Sequence, residues 1–210
     1  MGSTSGLQNK RLPSGAAGPR STSSKVKLPH RVEVLAVDFD RTLVACHTGA
    51  RNMQPAEVRE RPTEADAVDP RLLCALAEAA EARGYPLVVA TFGRRQVVRE
   101  YLDVLIGANR AYILTPTDVG GRDNVSVRGG KVPQLDLCLR IFNSNRRNLL
   151  FIDDSRKNVR SAKDAGYRMS FAVPNGLDRR AWSRVQRRLS KSSEQQSRRQ
   201  NRRRRSSLSR

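Results

Sequence analysis

Short apolar runs and amphipathic stretches alternate along the middle of the chain. Five runs have the length and apolar content of buried strands: 32–37, 86–91, 111–114, 148–152 and 168–173. The segments between them are predicted to be helices: 69–84, 94–107, 131–142 and 156–166. At the first of these, Asp69 is a candidate N-cap, Pro70 suits the first turn and Gly84 suits the end. This alternation predicts an α/β fold with a mainly parallel central sheet and helices on both faces.

The two ends of the chain differ from the middle in composition. Residues 1–30 and 191–210 are polar and basic and lack an apolar period, so we expect disordered tails there. Between them, we predict a folded domain over 31–178 and an amphipathic helix over 179–190. The formal net charge is +20, and most of it lies in the tails. An Arg-rich tail can bind nucleic acid, another acidic partner, anionic lipid or a nuclear import receptor, and composition does not choose among these.

The helix predicted over 179–190 carries Ala181, Trp182, Val185 and Leu189 on one face and arginines elsewhere. We expect that face to dock against the sheet, with a membrane-surface or RNA-binding helix as the alternative. Three cysteines at unrelated spacings, no signal peptide and no long apolar run predict an intracellular protein without a transmembrane segment. Its compartment would be the cytoplasm or the nucleus.

Carboxylates follow two of the predicted strands. Asp38 and Asp40 follow the first strand, and Asp153 and Asp154 follow the fourth. Ligands of parallel α/β sheets collect at the carboxyl ends of the strands, so both acidic pairs are expected at one point. Such acids repel one another unless a cation lies among them. Oxygen ligands favour Mg²⁺, which usually also contacts a phosphate group, and this predicts a phosphoryl site.

Two further residues fit a phosphoryl site. Thr91 ends the second predicted strand with a hydroxyl that can donate a hydrogen bond to a phosphate oxygen. Lys131 follows Gly129 and Gly130 and offers a cation to the nucleophile and the substrate. Each of these signals is weak alone, and their order along the chain is what makes them informative.

Four motifs follow one another along the chain, each after its strand or loop: Asp-x-Asp-x-Thr, Thr, Lys and Asp-Asp. This order resembles the four motifs of the haloacid dehalogenase-like hydrolases over residues 31–178. In "DFDRTL", Arg41 replaces the usual glycine. The resemblance implies a three-layer Rossmannoid fold. Members of the superfamily carry cap domains in the intervals that correspond here to 44–68 and 115–130, and because both intervals are short, no large cap domain is expected. The stretch "FIDDSRKNVRSAKDAGYRMSFAVPNGLD" is most similar to the uncapped magnesium-dependent phosphatases.

That resemblance also implies roles for individual residues. Asp38 would be the nucleophile that forms an aspartyl-phosphate, and Asp40 the general acid and base. Asp38, the carbonyl of Asp40 and one or both of Asp153 and Asp154 would hold Mg²⁺. The residues implied in binding and orienting the substrate phosphate are Phe39, Asp40, Thr91, Phe92 and Lys131.

Neighbouring polar residues have simpler interpretations. Thr42 is expected to hydrogen-bond backbone in the turn after the first strand, and Ser155 to cap the helix that follows. Asn158 either braces the acidic loop or lies exposed on its helix. His47 is not expected to be a metal ligand, because two neighbouring residues do not make a closed zinc site.

The sequence therefore predicts an enzyme, a Mg²⁺-dependent phosphomonoester hydrolase with an open site. An open site suits a macromolecular substrate such as a phosphoprotein or a nucleic-acid end. Two alternatives stay open: a basic RNA- or protein-binding factor with a non-catalytic fold of this type, and a phosphatase of small sugar or nucleotide phosphates.

Overall fold

A parallel sheet of five strands forms the centre of the molecule. The computed structural model describes residues 26–60 and 63–191. The strands are β1 (Val34–Val37), β2 (Leu87–Ala90), β3 (Tyr112–Leu114), β4 (Leu149–Asp153) and β5 (Met169–Ala172). Their order across the sheet is β3-β2-β1-β4-β5, and all the pairings are parallel. The first strand therefore lies in the middle, between β2 and β4.

Helices connect and flank these strands. They are α1 (Pro55–Arg59), α2 (Thr63–Asp66), α3 (Pro70–Glu81), α4 (Arg95–Ile106), α5 (Val132–Ile141), α6 (Arg156–Asp164) and α7 over residues 179–191. A short 3₁₀ helix covers Pro116–Val119. As predicted, α3 begins after Asp69, whose side chain accepts a hydrogen bond from the Leu72 amide at 2.9 Å.

The two faces of the sheet are covered by different helices. Leu35 and Val37 of β1 pack in a cluster with α3, α4 and α7, whereas Val34 and Ala36 pack on the opposite face with α5 and α6. This alternation is the two-residue period of a strand, and it requires apolar residues at every position of a strand covered on both faces. The predicted three-layer α/β fold is confirmed.

The interval 44–68, predicted to be a loop, contains the short helices α1 and α2. Met53 and Val58 from this interval are buried in the same apolar cluster as α3 and α4. The described part of the interval thus adds its apolar residues to the main core and does not form a second core of its own. The 3₁₀ helix after β3 likewise replaces the start of the loop predicted over 115–130.

The folded part begins before the predicted boundary at residue 31. Leu28 is only 6% exposed, and Val26 packs against the same cluster. The Lys27 carbonyl accepts a hydrogen bond from Gln186 Nε2 at 3.0 Å, and the Leu28 carbonyl accepts one from Arg83. These bonds and the burial of Leu28 hold the segment against the domain, so residues 26–30 do not belong to a tail. The remainder of the predicted tails, 1–25 and 192–210, lies outside the described residues.

The apolar face of α7 is used inside the molecule. Ala181, Trp182, Val185 and Leu189 are each at most 3% exposed and belong to the cluster formed with α3 and α4. The helix therefore docks against the sheet, as the favoured sequence interpretation held. In the ranges 26–60 and 63–191, no helix has both the length and the apolar character needed to cross a membrane.

Removing the Trp182 side chain tests this docking. Trp182→Ala is expected to lower the free energy of unfolding by about 3–5 kcal/mol, because it removes a large buried side chain and leaves a cavity. Urea denaturation followed by far-ultraviolet circular dichroism measures the change. Arg184→Ala, an exposed change two residues farther along the same helix, should stay within about 0.5 kcal/mol of the parent. A loss below about 1 kcal/mol for Trp182→Ala would contradict the packing of α7.

Candidate active site

Three aspartates meet where β1 and β4 end. Asp38 directly follows β1, Asp153 is the last residue of β4, and Asp154 comes next. The Asp38 amide donates to the Ile152 carbonyl at 2.8 Å, which holds the two strand ends side by side. After β3 the chain crosses to the other side of β1, so the boundary between β1 and β4 is the switch point of the sheet. Ligands of open α/β sheets bind at this place.

The carboxylates of Asp38, Asp153 and Asp154 are unusually close together. Each contributes an oxygen, and these oxygens all lie within 4.8 Å of one another. At an effective dielectric constant of about 20, two full charges at that distance repel by about 3.5 kcal/mol. Burial raises the pKa of all three carboxyl groups, and the charge of Asp38 adds to the rise for the other two, so that the pKa of Asp153 reaches about 8. Three hard oxygen donors at this spacing fit a divalent cation such as Mg²⁺ or Ca²⁺.

The side chain of Lys131, predicted from the sequence to supply a cation, reaches the group of three aspartates. Lys131 is only 1% exposed, and its Nζ atom lies 2.8 Å from Asp38 Oδ1. Nζ also donates to the Ala90 carbonyl at 2.6 Å and lies 4.0 Å from the centre of the Phe92 ring. Because an ammonium group has three donors, one N–H is left for a further acceptor. The loop before α5 thus delivers a positive charge to the nucleophile candidate.

Two polar side chains brace the acids. Thr42 Oγ1 donates to Asp38 Oδ2 at 3.1 Å and accepts from the Asp154 amide at 2.9 Å, so it links the two acidic loops. This goes beyond the backbone role predicted for it. Asn158 Nδ2 lies 3.2 and 3.1 Å from the two oxygens of Asp153. Of the two interpretations offered for Asn158, the structure therefore supports the one in which it braces the acidic loop. Ser155 caps α6 as predicted, since its side chain accepts from the Asn158 amide.

Asp40 lies beside the acid cluster with its side chain turned to a different set of partners. Its Oδ1 accepts hydrogen bonds from the amide and the hydroxyl of Thr48 at 2.9 and 2.8 Å. Its Oδ2 lies 3.4 Å from His47 Nδ1. The Asp40 carboxylate is therefore not part of the three-aspartate group, which leaves its backbone carbonyl as the ligand implied by the resemblance. The hydrogen bonds from Thr48 hold the Asp40 carboxyl group at the edge of the site, apart from the other three acids.

Of the other residues predicted to bind phosphate, Thr91 and Phe92 lie at the site, whereas the Phe39 side chain is buried in the core. Thr91 Oγ1 accepts from the Gly93 amide at 2.9 Å, which leaves its own proton free to donate. A Cβ at Gly93 would lie 3.2 Å from Thr48 Oγ1 and 3.3 Å from Thr91 Oγ1, so both hydroxyls flank this glycine. Phe92 lines the cleft. Phe39 is buried with its ring edge-on to Tyr101, so a phosphate contact at that position falls to its main chain.

A cleft of about 510 Å³ opens over these residues. Its walls come from the loops after β1, β2 and β4, the loop before α5 and the start of α6. The residues are Asp38, Asp40, Arg41, His47, Phe92, Ser126, Val127, Arg128, Gly129, Gly130, Asp154, Ser155, Lys157, Asn158 and Ser161. The cleft is large enough for a small phosphorylated group and reaches Asp38, Asp40 and Asp154 together. The acids and Lys131 thus form one chemical site.

Sequence reasoning missed two residues of this site. Thr42 had a signal, because it stands in the same Asp-x-Asp-x-Thr string as Asp38 and Asp40. Thr48 had none, because it contacts Asp40 across a turn of eight residues whose path no pattern specifies. Neighbouring His47, for which neither a zinc-binding nor a catalytic role is predicted, lies beside the Asp40 carboxylate in the structure.

Comparisons with known proteins give faint structural likenesses. No family model matches the chain, and no curated protein matches it. One solved structure, an L-2-haloacid dehalogenase, has 14% sequence identity and a TM-score of 0.42 over 68% of this chain and 86% of that chain. Another, an uncharacterized protein from Corynebacterium glutamicum, has 17% identity and a TM-score of 0.39 over 73% and 92%. The functional conclusion therefore rests on the site geometry.

The raised pKa of Asp153 predicts how stability depends on pH in a chelating buffer. An acid whose pKa is higher in the folded than in the unfolded state binds its proton more tightly when folded. Stability is therefore lost as pH rises from about 4 toward about 8. Asp153→Asn should flatten that loss, which for one group is at most about 1.4 kcal/mol per pH unit.

Urea denaturation in EDTA at pH 5, 6, 7 and 8 measures this dependence. Asp103→Asn, on the exposed side of α4, is the matched control and should keep the parent slope. Parallel slopes for the parent and Asp153→Asn would show that Asp153 is no more costly to ionise when folded than when unfolded.

Proposed function

We propose that the protein is a Mg²⁺-dependent phosphomonoesterase that works through an aspartyl-phosphate. The observation that carries the proposal is the contact between Lys131 and Asp38 inside a group of three aspartates. A buried cluster of like charges has no structural advantage and is costly unless cations compensate it. Phosphoryl transfer needs such an arrangement, because both nucleophile and substrate are anionic.

In the proposed reaction, Asp38 is the nucleophile. Lys131 and Thr42 each hold one of its oxygens, which fixes the plane of the carboxylate toward the cleft. A bond forms between a carboxylate oxygen and phosphorus, and the ester P–O bond breaks with its electron pair on the leaving oxygen. Water then hydrolyses the aspartyl-phosphate and releases inorganic phosphate.

Asp40 is the proposed general acid and base. In its protonated form it donates the proton that the leaving oxygen needs, and it takes a proton from the attacking water in the second step. Its hydrogen bonds to Thr48 keep the carboxyl group at the edge of the cleft and apart from the metal-binding group. This separation keeps the Asp40 carboxyl group available for proton transfer, while the other acids would serve as ligands.

The remaining site residues balance charge and orient the phosphate. Asp38, Asp153 and Asp154, with the Asp40 carbonyl, would hold Mg²⁺, which when bound supplies positive charge against the carboxylates and the phosphate. Asn158 fixes Asp153 for that role. The free N–H of Lys131 and the hydroxyl of Thr91 would donate to phosphoryl oxygens.

A binding factor without catalysis is the weaker candidate. Nothing in nucleic-acid or protein binding requires three carboxylates and a lysine in one partly enclosed cleft. Such a factor would be more stable with neutral residues at Asp38 and Asp153. The intact cluster therefore favours the enzyme.

The proposed function is tested by the release of phosphate from 4-nitrophenyl phosphate. The full chain should be active with Mg²⁺ and lose activity in EDTA. Asp38→Asn should be inactive, with kcat reduced at least about a thousandfold, because an amide is a far poorer nucleophile than a carboxylate. Asp103→Asn should leave kcat unchanged, which controls for handling and expression.

Thermal unfolding separates loss of chemistry from loss of fold. Asp38→Asn should keep a cooperative transition, since it removes one of several repelling charges. Full activity in that variant, or activity of the parent that EDTA does not affect, would end the proposal.

Thr48→Val tests the positioning of Asp40. The change keeps the backbone hydrogen bond to Asp40 and removes the one from the hydroxyl. Because bonds to charged groups contribute about 1.5–3 kcal/mol, kcat should fall about tenfold or more. Thr48→Ser, which retains the hydroxyl, should recover most of the rate.

Leaving-group dependence distinguishes this role from a structural one. With 4-nitrophenyl phosphate the leaving oxygen needs little protonation, whereas with phenyl phosphate it needs more. Thr48→Val should therefore lower kcat/KM more for phenyl phosphate, because kcat/KM covers the steps up to release of the leaving group and excludes hydrolysis of the shared aspartyl-phosphate. An equal loss of kcat/KM for both substrates would show that Thr48 does not act through Asp40.

A further inference from the structure

Three positively charged residues lie at the mouth of the cleft, beyond the acids. Arg41 follows Asp40, Arg128 lies in the loop before α5, and Lys157 lies in the first turn of α6. All three are exposed. They come from three separate segments, so they approach the opening from different directions.

Among the residues that the structure describes, these cations form no close ion pair with a carboxylate, although the charge of Arg41 is near enough to lower the pKa of Asp154. Within 26–60 and 63–191, none of the three forms an ion pair. By contrast, Arg95, Arg110 and Arg146 outside the cleft each pair with an acid. Unpaired cations grouped around one opening raise the local concentration of anions there.

Arg41 is also held in an unfavourable backbone conformation. Its φ of 59° lies in the left-handed region, which glycine adopts without penalty and which a side chain disfavours. A glycine there would give the same turn without strain. Backbone strain of this kind, at the edge of a candidate active site, favours a functional role for the Arg41 side chain.

A single phosphate group does not use these charges. In the proposed reaction the phosphate that is transferred lies at Asp38, where Lys131 and a bound divalent cation would supply the compensating charge. Arg41, Arg128 and Lys157 are left for anionic groups farther along the substrate. A nucleic-acid strand supplies such groups with a permanent charge at about every 3.4 Å of its axis, and the chain's net charge of +20 favours a strong polyanion.

We infer that the cleft takes the terminal phosphate of an oligonucleotide, with Arg41, Arg128 and Lys157 contacting the adjoining phosphodiesters. This inference rests on the proposed function, because the terminal phosphate is the group to be hydrolysed. The cations bind backbone and read no sequence, so different base sequences are expected to react alike.

The test compares two kinds of substrate in the full chain. Single-stranded hexanucleotides with a 5′- or a 3′-phosphate are measured against 4-nitrophenyl phosphate by kcat/KM. At least one hexanucleotide should be preferred by about a hundredfold. Arg41→Gly, Arg128→Gln and Lys157→Gln should each lower the ratio of hexanucleotide to aryl phosphate kcat/KM by about tenfold, the effect of losing one good contact.

Salt dependence gives a second readout. For single strands, each phosphate neutralised contributes about −0.7 to the slope of log affinity against log salt. Each of the three variants should therefore reduce the steepness of log kcat/KM for the hexanucleotide by about 0.7. Arg41→Lys, which keeps the charge, should retain most of the slope.

The chain offers matched controls. Arg122→Gln, in the same loop region as Arg128, and Lys163→Gln, on the same helix as Lys157, remove equal charges from exposed positions outside the cleft. Both should leave the ratio and the slope unchanged. The basic stretch 192–210 is present in all these proteins, so its contribution cancels in the comparison.

Three results would overturn the inference. One is an equal effect of cleft and control variants, which would indicate general attraction. Another is aryl phosphatase activity without a hexanucleotide preference, which leaves the proposed function standing. The third is a higher kcat/KM for an acidic phosphopeptide, which would identify a phosphoprotein substrate. If no substrate is hydrolysed, the proposed function itself fails.

Discussion

The repulsion among Asp38, Asp153 and Asp154 is the constraint on which the site depends. Their oxygens lie within 4.8 Å of one another, and burial makes each charge more costly. Lys131 compensates part of this from inside the protein, at 2.8 Å from Asp38. Because one ammonium group does not balance three carboxylates, the site is built for additional positive charge. The chemistry follows from that requirement.

The sheet and its neighbouring loops bring these charges together. β1 places Asp38, β4 places Asp153, and the Ala90 carbonyl at the end of β2 holds Lys131. Three adjacent strands therefore fix the relative positions of Asp38, Asp153 and Lys131. A rigid scaffold of this kind keeps like charges close at a distance that flexible loops would allow to relax.

The strands and acids could be predicted because their signals are local. Runs of apolar residues identify buried strands, and a parallel sheet brings their carboxyl ends to one edge, which placed Asp38 and Asp153 together. The contact between Asp40 and Thr48 could not be predicted, because it depends on the path of a turn. Leu28 lies in a predicted tail because its neighbours are polar, and only its burial in the main apolar cluster shows otherwise. The helices α1 and α2 are too short for a periodic signal.

The hydrogen bond between Gln186 and the Lys27 carbonyl ties the first described residues to the last helix. Residue 191 is five positions beyond Gln186, or about 8 Å along a helix axis. The first and the last described residues are therefore neighbours in space, although more than 160 positions separate them along the chain. Loss of this contact would loosen both ends of the folded part together.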